Sequence, residues 1–232
     1  MINSIAERKL IKHLPKPFIN INLLREAMCH RSYLNENQDM AKDNERLEFL
    51  GDAILGFVVA EWLINRFPDK PEGFLTKARA LLVRTNNLAK YARKLEIGPA
   101  LLISKGEEMN GARDRDAVLC DAFEALIAAI YIDQGLESVI ELITPFLNAE
   151  KDSILDRFNL EPKSRLQEWA QAQGHKSPVY IIVTESGPDH NREFTVQATI
   201  DGQKMSIGIG KTKQAAEKDA AEKSLKMIGI DS

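Results

Sequence analysis

Residues 117–132, AVLCDAFEALIAAIYI, constrain this chain more than any other stretch. At helical spacing the segment is apolar almost all the way round, and a helix of that composition has to be buried. Two acids interrupt it, Asp121 and Glu124, at i and i+3 and therefore on one face. A lone ionised carboxylate in such surroundings is costly, so these acids either pair with cations or bind a metal. Arg31 and Arg113 are the ion-pair partners on offer, and at this level that alternative stays open.

A second segment narrows the choice. NERLEFLGDAILGFVV begins at Asn44. With Glu45 set to zero and about 100° per residue, Asp52 falls at about −20° and Glu48 at about −60°. Leu47, Leu50, Ile54 and Val58 take the far side, so the three acids share one face of an amphipathic helix. Alone, this would be a solvated acidic face. Two helices that each present adjacent acids suggest a four-carboxylate cup of Glu48, Asp52, Asp121 and Glu124. Oxygen-rich sites of this kind suit hard divalent cations, magnesium above all and manganese as a substitute. Phosphodiester hydrolysis needs such a site, because the metal binds the phosphate, lowers the pKa of the attacking water and stabilises the leaving oxygen. No rival nucleophile system is visible: His30 and the hydroxyls near it form no elbow or triad pattern, and His30 reads as structural.

Residues 1–150 read almost wholly as helices, whereas 178–210 switch to alternation. Phe194, Val196, Ala198 and Ile200 are apolar at every second position, which marks a half-buried strand. Asp201-Gly202 then predicts a turn, with further strands over 179–183 and 204–209. A helix precedes them, with Ser164 as N-cap, Gln167 completing a capping box and Gly174 as the stop. Another helix opens near Thr212 and runs to Met227, before Gly229. The order is α-β-β-β-α. The charged stretch 151–161, followed by Pro162, is the expected linker, dividing a domain over 1–150 from a smaller one over 162–230.

Length and charge set outer limits. The chain has 232 residues, enough for two modest domains. With 44% hydrophobic and 28% charged residues it can bury a core. No apolar run approaches the ~18–20 residues that span a bilayer. The opening MINSIAERKLIKHL lacks the apolar core and cleavage site of a secretory signal. Cys29 and Cys120 lack metal-ligand spacing and read as buried free thiols in a reducing cytosol. Net charge is −3, with ten basic and ten acidic residues in 161–232, so any nucleic-acid contact must come from local clustering.

With these residues in view, NERLEFLGDAIL (44–55) closely resembles the signature helix of the ribonuclease III family. AMCHRSY (27–33), PEGFLTKARALLV (71–83) and GARDRDAVLCDAFEALIAAIYID (111–133) match its other motifs in order. The resemblance covers nearly the whole chain and implies an all-α, dimeric catalytic domain followed by a small α-β-β-β-α domain that binds double-stranded RNA. It implies a double-strand-specific endoribonuclease whose two active sites lie along a valley across the subunits, each cutting one strand. Products would carry 5′-phosphates and short 3′ overhangs. Glu48, Asp52, Asp121 and Glu124 stand where the family's main metal-binding carboxylates do, with Asp52 and Glu124 most directly tied to the chemistry. Glu45 and Glu72 match accessory catalytic acids, and Phe49 matches a knob at the dimer interface. The family also implies a cytoplasmic enzyme, without an organic cofactor or membrane attachment, that processes precursors of ribosomal RNA and other structured transcripts.

PKSRLQEWAQAQG, PVY, GPDHNREFTVQATI and GIGKTKQAAEKDAAEKSL resemble a double-stranded RNA-binding domain throughout. Duplex RNA is read by shape, through two successive minor grooves and the phosphates between them. Gln167, Glu168 and Gln171 would meet 2′-hydroxyls and base edges, and His190 the next minor groove. Lys211, Lys213 and Lys218 would meet phosphate near the start of the last helix. In place of the family's frequent lysine pair, this chain has Lys213-Gln214. Two rivals remain, a non-catalytic duplex-RNA-binding protein of the same fold and a helical metal-dependent hydrolase of nucleotides. The first is opposed by the retention of all four acids, the second by the RNA-binding module.

Overall fold

The computed structural model describes residues 5–37, 42–159, 161–188 and 192–230. Its helices α1 (Ile5–Lys12), α2 (Ile21–Ala27), α3 (Arg31–Leu34), α4 (Glu45–Arg66) and α5 (Glu72–Leu82) are followed by α6 (Thr85–Lys94), α7 (Ile97–Ala100), α8 (Lys105–Met109), α9 (Asp116–Gln134) and α10 (Leu136–Asn159). After them come α11 (Pro162–Ala172), strands β1 (Val179–Ser186), β2 (Glu193–Ile200) and β3 (Gln203–Gly210), and α12 (Lys213–Met227). The chain forms two compact units, Met1–Glu150 and Lys151–Ser232.

The first unit is built around α9, as its all-round apolar sequence requires. Phe123 and residues 125–130 are fully inaccessible to solvent. The helix packs against α4, α6 and α2. Tyr91 on α6 stacks 4.7 Å from Phe146 and 5.9 Å from Phe123, tying α6 and α10 to the central helix. Asp133, in the last turn of α9, accepts hydrogen bonds from the backbone N–H groups of Ile19 and Asn20 at 2.7 and 2.8 Å, which fixes the entry to α2.

The expected linker begins where the two units divide, after Glu150, and it is helical. Residues 151–159, read as the start of a linker, continue α10. The charged composition hid a helical repeat: Leu147 and Ile154, seven residues apart, are both buried. Proline 162 does not merely end the preceding segment, because it opens α11.

In the second unit β1, β2 and β3 form an antiparallel sheet in that order. Asp201 and Gly202 have φ of 50° and 79°, the two left-handed residues that a tight hairpin between right-twisted strands demands. Leu166 and Ala170 of α11 join Ile200, Ala221 and Leu225 in one core, and Phe194, Val196 and Ala216 form another. At Gly208 and Gly210 any Cβ would collide with the backbone of α12 around Ala216, so these glycines let helix and strand touch. Strand β1 extends beyond the expected 179–183. The expected capping box is absent: the N-cap is Glu161, with no side-chain cap bond, and Ser164 lies inside the first turn. Pro162 pre-sets the helical φ two residues earlier than the serine would. Thr212 does cap α12, its side chain accepting from the Ala215 N–H at 3.1 Å.

Candidate active site and duplex-binding surface

Asn44 anchors the acid-bearing helix. Its backbone N–H donates to the Cys29 carbonyl at 2.9 Å, its amide Nδ2 donates to the Ala27 carbonyl at 3.4 Å, and its own carbonyl accepts from the Glu48 N–H at 2.8 Å. The start of α4 is thereby held to the chain between α2 and α3. Further along, α4 meets α9 backbone to backbone, because Gly51 leaves room for the Glu124 carbonyl.

That crossing brings the four carboxylates within reach of one another's charge. Glu124 is only 9% exposed as a residue. Burial pushes its pKa up to about 7, aided by the charges of Asp52, Asp121 and Glu48. Burial likewise raises Glu48, with Asp121, Glu45 and Asp52 adding to the effect. Asp121 is raised by burial, and the His30 side chain offsets part of the rise. The suggested ion pairs do not form: Arg31 lies 3.4 Å from Glu45, while Arg113 binds Glu108 and the carbonyls of Gly98 and Leu101. Glu45 sits at the exposed rim of the cluster. Glu72 opens α5 and accepts from the Thr76 hydroxyl at 2.6 Å, and it is not among the groups that shift Glu48, Asp121 or Glu124.

Such crowding of like charge fits a divalent cation. Glu124 is nine-tenths buried, and the hydrogen-bond partner it has is the Cys120 thiol, 3.8 Å away. Ligand atoms of Cys120, Asp121 and Glu124 lie within 4.8 Å of one another. By sequence Cys120 is a core thiol without metal-ligand spacing. It is buried, but it also lines the cluster, with its pKa pushed up to about 12 chiefly by burial. By sequence His30 is likewise a structural histidine. It does cap α3, Nδ1 accepting from the Ser32 N–H at 3.2 Å, and it also lies near enough to Asp121 to act on that carboxyl.

In the second unit, Gln167 and Glu168 are half-buried and Gln171 is exposed on α11, which packs on α12. Lys211, Lys213 and Lys218 are exposed in or beside the first turns of α12. Lys213 Nζ lies 5.7 Å from the centre of the Phe194 ring. Lys163, absent from the expected set, contacts Glu217 at 2.5 Å and lies over the Tyr180 ring. His190 falls outside the described residues.

A helical domain with a carboxylate cluster around the buried Glu124, followed by an α-β-β-β-α module, defines a double-strand-specific endoribonuclease. Residues 20–150 match the ribonuclease-III-like family model and 162–228 the double-stranded RNA binding motif. Ribonuclease 3 of Syntrophobacter fumaroxidans is 43% identical over 90% of this chain and 89% of its own length. That of a Roseiflexus species is 44% identical over 94% and 93%. The crystal structure of the nuclease domain of ribonuclease III from Campylobacter jejuni superposes with a TM-score of 0.57 at 38% identity, covering 65% of this chain and 97% of that one. The chain belongs to the ribonuclease III family, whose members are metal-dependent endoribonucleases of duplex RNA.

Proposed function

We propose that the protein acts as a homodimer that uses magnesium, or manganese in its place, to cut both strands of duplex RNA, leaving 5′-phosphates and short 3′ overhangs. The buried Glu124 carboxyl among Asp52, Asp121 and Glu48 carries this reading, because an uncompensated site of this kind costs stability and gains its use from a bound cation. In this mechanism Glu48, Asp52, Asp121 and Glu124 would hold the cation. When bound, it polarises the scissile phosphate and lowers the pKa of water beside it. The protein supplies position. The contact at Gly51 fixes the depth of Glu124 relative to α4, and Asn44 fixes the start of the helix that carries Glu48 and Asp52. Asp52, exposed at the mouth, faces the incoming phosphate, and Glu45 and Glu72 act as accessory acids nearer solvent. Domains over 1–150 and 162–230 divide cutting from duplex capture, which we assign to Gln167, Glu168, Gln171, His190, Lys211, Lys213 and Lys218. Processing of ribosomal, messenger and transfer RNA precursors in the cytoplasm is the setting we infer. Two buried free cysteines support it, and no helix among the described residues is long and apolar enough to cross a membrane. The direct test is incubation with long duplex RNA and magnesium: discrete short duplexes are expected, and intact substrate would refute the reading.

The dimer has support on α4. Phe49 is 82% exposed, with Phe57 and Ile64 also exposed on the same side of the helix. The Campylobacter jejuni nuclease domain has a region involved in dimer formation. In a two-fold dimer one substitution acts twice, and truncating a buried aromatic costs ~3–5 kcal/mol. Phe49→Ala is therefore expected to sediment as monomer at low micromolar concentration. An undisturbed dimer would remove Phe49 from the interface.

The second unit is expected to work alone. A fragment of residues 161–232 keeps its own core and should bind duplex RNA weakly, without cutting it. Duplex DNA lacks the 2′-hydroxyl and A-form groove spacing, so it should compete poorly. Equal competition by DNA and RNA duplexes of one sequence would count against the assigned surface.

A further inference from the structure

In the second unit, the sheet face turned away from the helices is apolar where water would favour polar side chains. An antiparallel sheet with one solvated face normally alternates apolar-in and polar-out. In β3 that order is inverted: Gly208 and Gly210 face α12, while Ile207 and Ile209 are exposed on the other side. Strand pairing carries this side across the sheet. Ile207 stands opposite Gln197 and Ile209 opposite Thr195, and on the far flank the exposed Ile181 and Val179 pair with Gln197 and Thr199. The polar side chains between the flanks are turned to the backbone. Gln197 Nε2 donates to the Ala198 and Ser206 carbonyls, both at 3.0 Å, and the Thr199 hydroxyl donates to the Val179 carbonyl at 3.2 Å. Covering the face therefore strands few hydrogen-bonding groups. Two charged residues mark its ends: Lys204 pairs with Thr199 beside the hairpin, and Glu193 pairs with Ser186 at the opposite end. Both are exposed, and neither has an ion-pair partner among the described residues.

We propose that this face packs against the same face of a second copy of the chain, about a two-fold axis that runs across the strands. Such an axis lays β1 on the partner's β1 and β3 on the partner's β3, each reversed in direction. Val179 and Ile181 then meet their own copies, as do Ile207 and Ile209, and Lys204 lies against the partner's Glu193. An axis along the strands would instead set lysine on lysine and glutamate on glutamate. Duplex RNA is not the occupant, because one lysine is too little for a phosphate backbone and the assigned RNA contacts of α11 and α12 lie across the sheet. Three strands ~4.8 Å apart over about five residues make a face on the order of 250 Å², well short of the ~800 Å² per partner of a free-standing complex. An untethered protein would gain too little from it. A second copy arrives tethered through the enzyme dimer, at effective concentrations in the millimolar range, and on that point the proposal rests on the dimer reading.

The test uses the full-length protein carrying Thr195→Cys, which puts a thiol on the face while both native cysteines are buried. A short bis-maleimide is expected to link two chains. The yield should fall several-fold when Ile181→Lys is added, and also when Lys204→Glu is added. Glu193→Lys together with Lys204→Glu should restore it, because these charges stand at opposite ends of their own sheet and meet only between copies. Ile181, Glu193 and Lys204 are exposed, so wild-type circular dichroism is expected throughout, and Ile207→Thr replaces Ile181→Lys if that variant misfolds. A yield indifferent to Ile181→Lys, or a charge swap that fails to restore it, overturns the proposal. So does the absence of any cross-link, which would leave the face to a different protein. A wild type that sediments as monomer would instead overturn the dimer reading, and cross-linking at raised protein concentration would still decide whether the faces meet.

Discussion

Glu124→Gln is expected to abolish duplex cleavage by several orders of magnitude while leaving the fold and duplex binding intact. The glutamine keeps the size of the side chain and removes a ligating charge from the most buried carboxyl of the cluster. It does not touch the residues of α11 and α12 that we assign to duplex capture. Single-turnover cleavage and filter binding, measured on the same preparation, separate the two effects. Cleavage near the wild-type rate would sink the carboxylate assignment.

The same substitution should change how stability depends on pH in the absence of metal. The folded Glu124 carboxyl titrates at about 7, above its ordinary value of 4.5. Between those values the native state binds the proton more tightly than the unfolded chain does, so native stability falls as pH rises through this window and levels off above it. After discounting for the solvent-facing side of the cleft, the loss is on the order of 2 kcal/mol. Thermal melts in chelator on either side of the window should show the decline in the wild type and a smaller one in Glu124→Gln. Added magnesium should restore the wild type, since it binds the folded site and not the unfolded chain. A wild-type melting temperature flat across the window would show that the cluster is better solvated than its geometry indicates.

The parts of the site that could be read in the sequence are those with a periodic signature. An apolar helix interrupted by Asp121 and Glu124 declares both its burial and its acids, and the wheel of α4 puts Glu45, Glu48 and Asp52 on one face. Alternation in 194–200 and the Asp201-Gly202 pair likewise dictate a hairpin. What stayed hidden depends on contacts between elements. Gly51 looks like a weak point in a helix until α9 is seen to lie against it. Gly208 and Gly210 look like strand breakers until α12 covers them. Cys120 fits any core pattern, and its place beside Glu124 follows from the crossing of helices. The helical continuation over 151–159 was masked by surface charge, which says little about backbone conformation once the buried positions are seven residues apart.

Gly51→Ala should be among the most damaging small substitutions in the chain. A glycine inside a helix ordinarily costs ~1 kcal/mol relative to alanine, so the replacement would stabilise an isolated α4. In the folded protein the new Cβ overlaps the Glu124 carbonyl, and the nearest atoms all belong to backbone, which cannot rotate aside. The helices must separate, and overpacking of this sort typically costs ~1–3 kcal/mol, occasionally more. For a protein of this size each kcal/mol lowers the melting temperature by roughly 2–4 °C, so a drop of about 10 °C is expected. Catalysis should suffer further, because α9 carries Asp121 and Glu124 away from Asp52 and Glu48, and a misplacement of about 1 Å can cost ~100-fold in rate. Gly73→Ala is the control: it lies in the first turn of α5 with nothing near its would-be Cβ, and it should hold or raise the melting temperature. Calorimetry of both variants decides the matter. If Gly51→Ala melts with the wild type, α4 and α9 can part without cost, and the close crossing is not what sets the depth of Glu124.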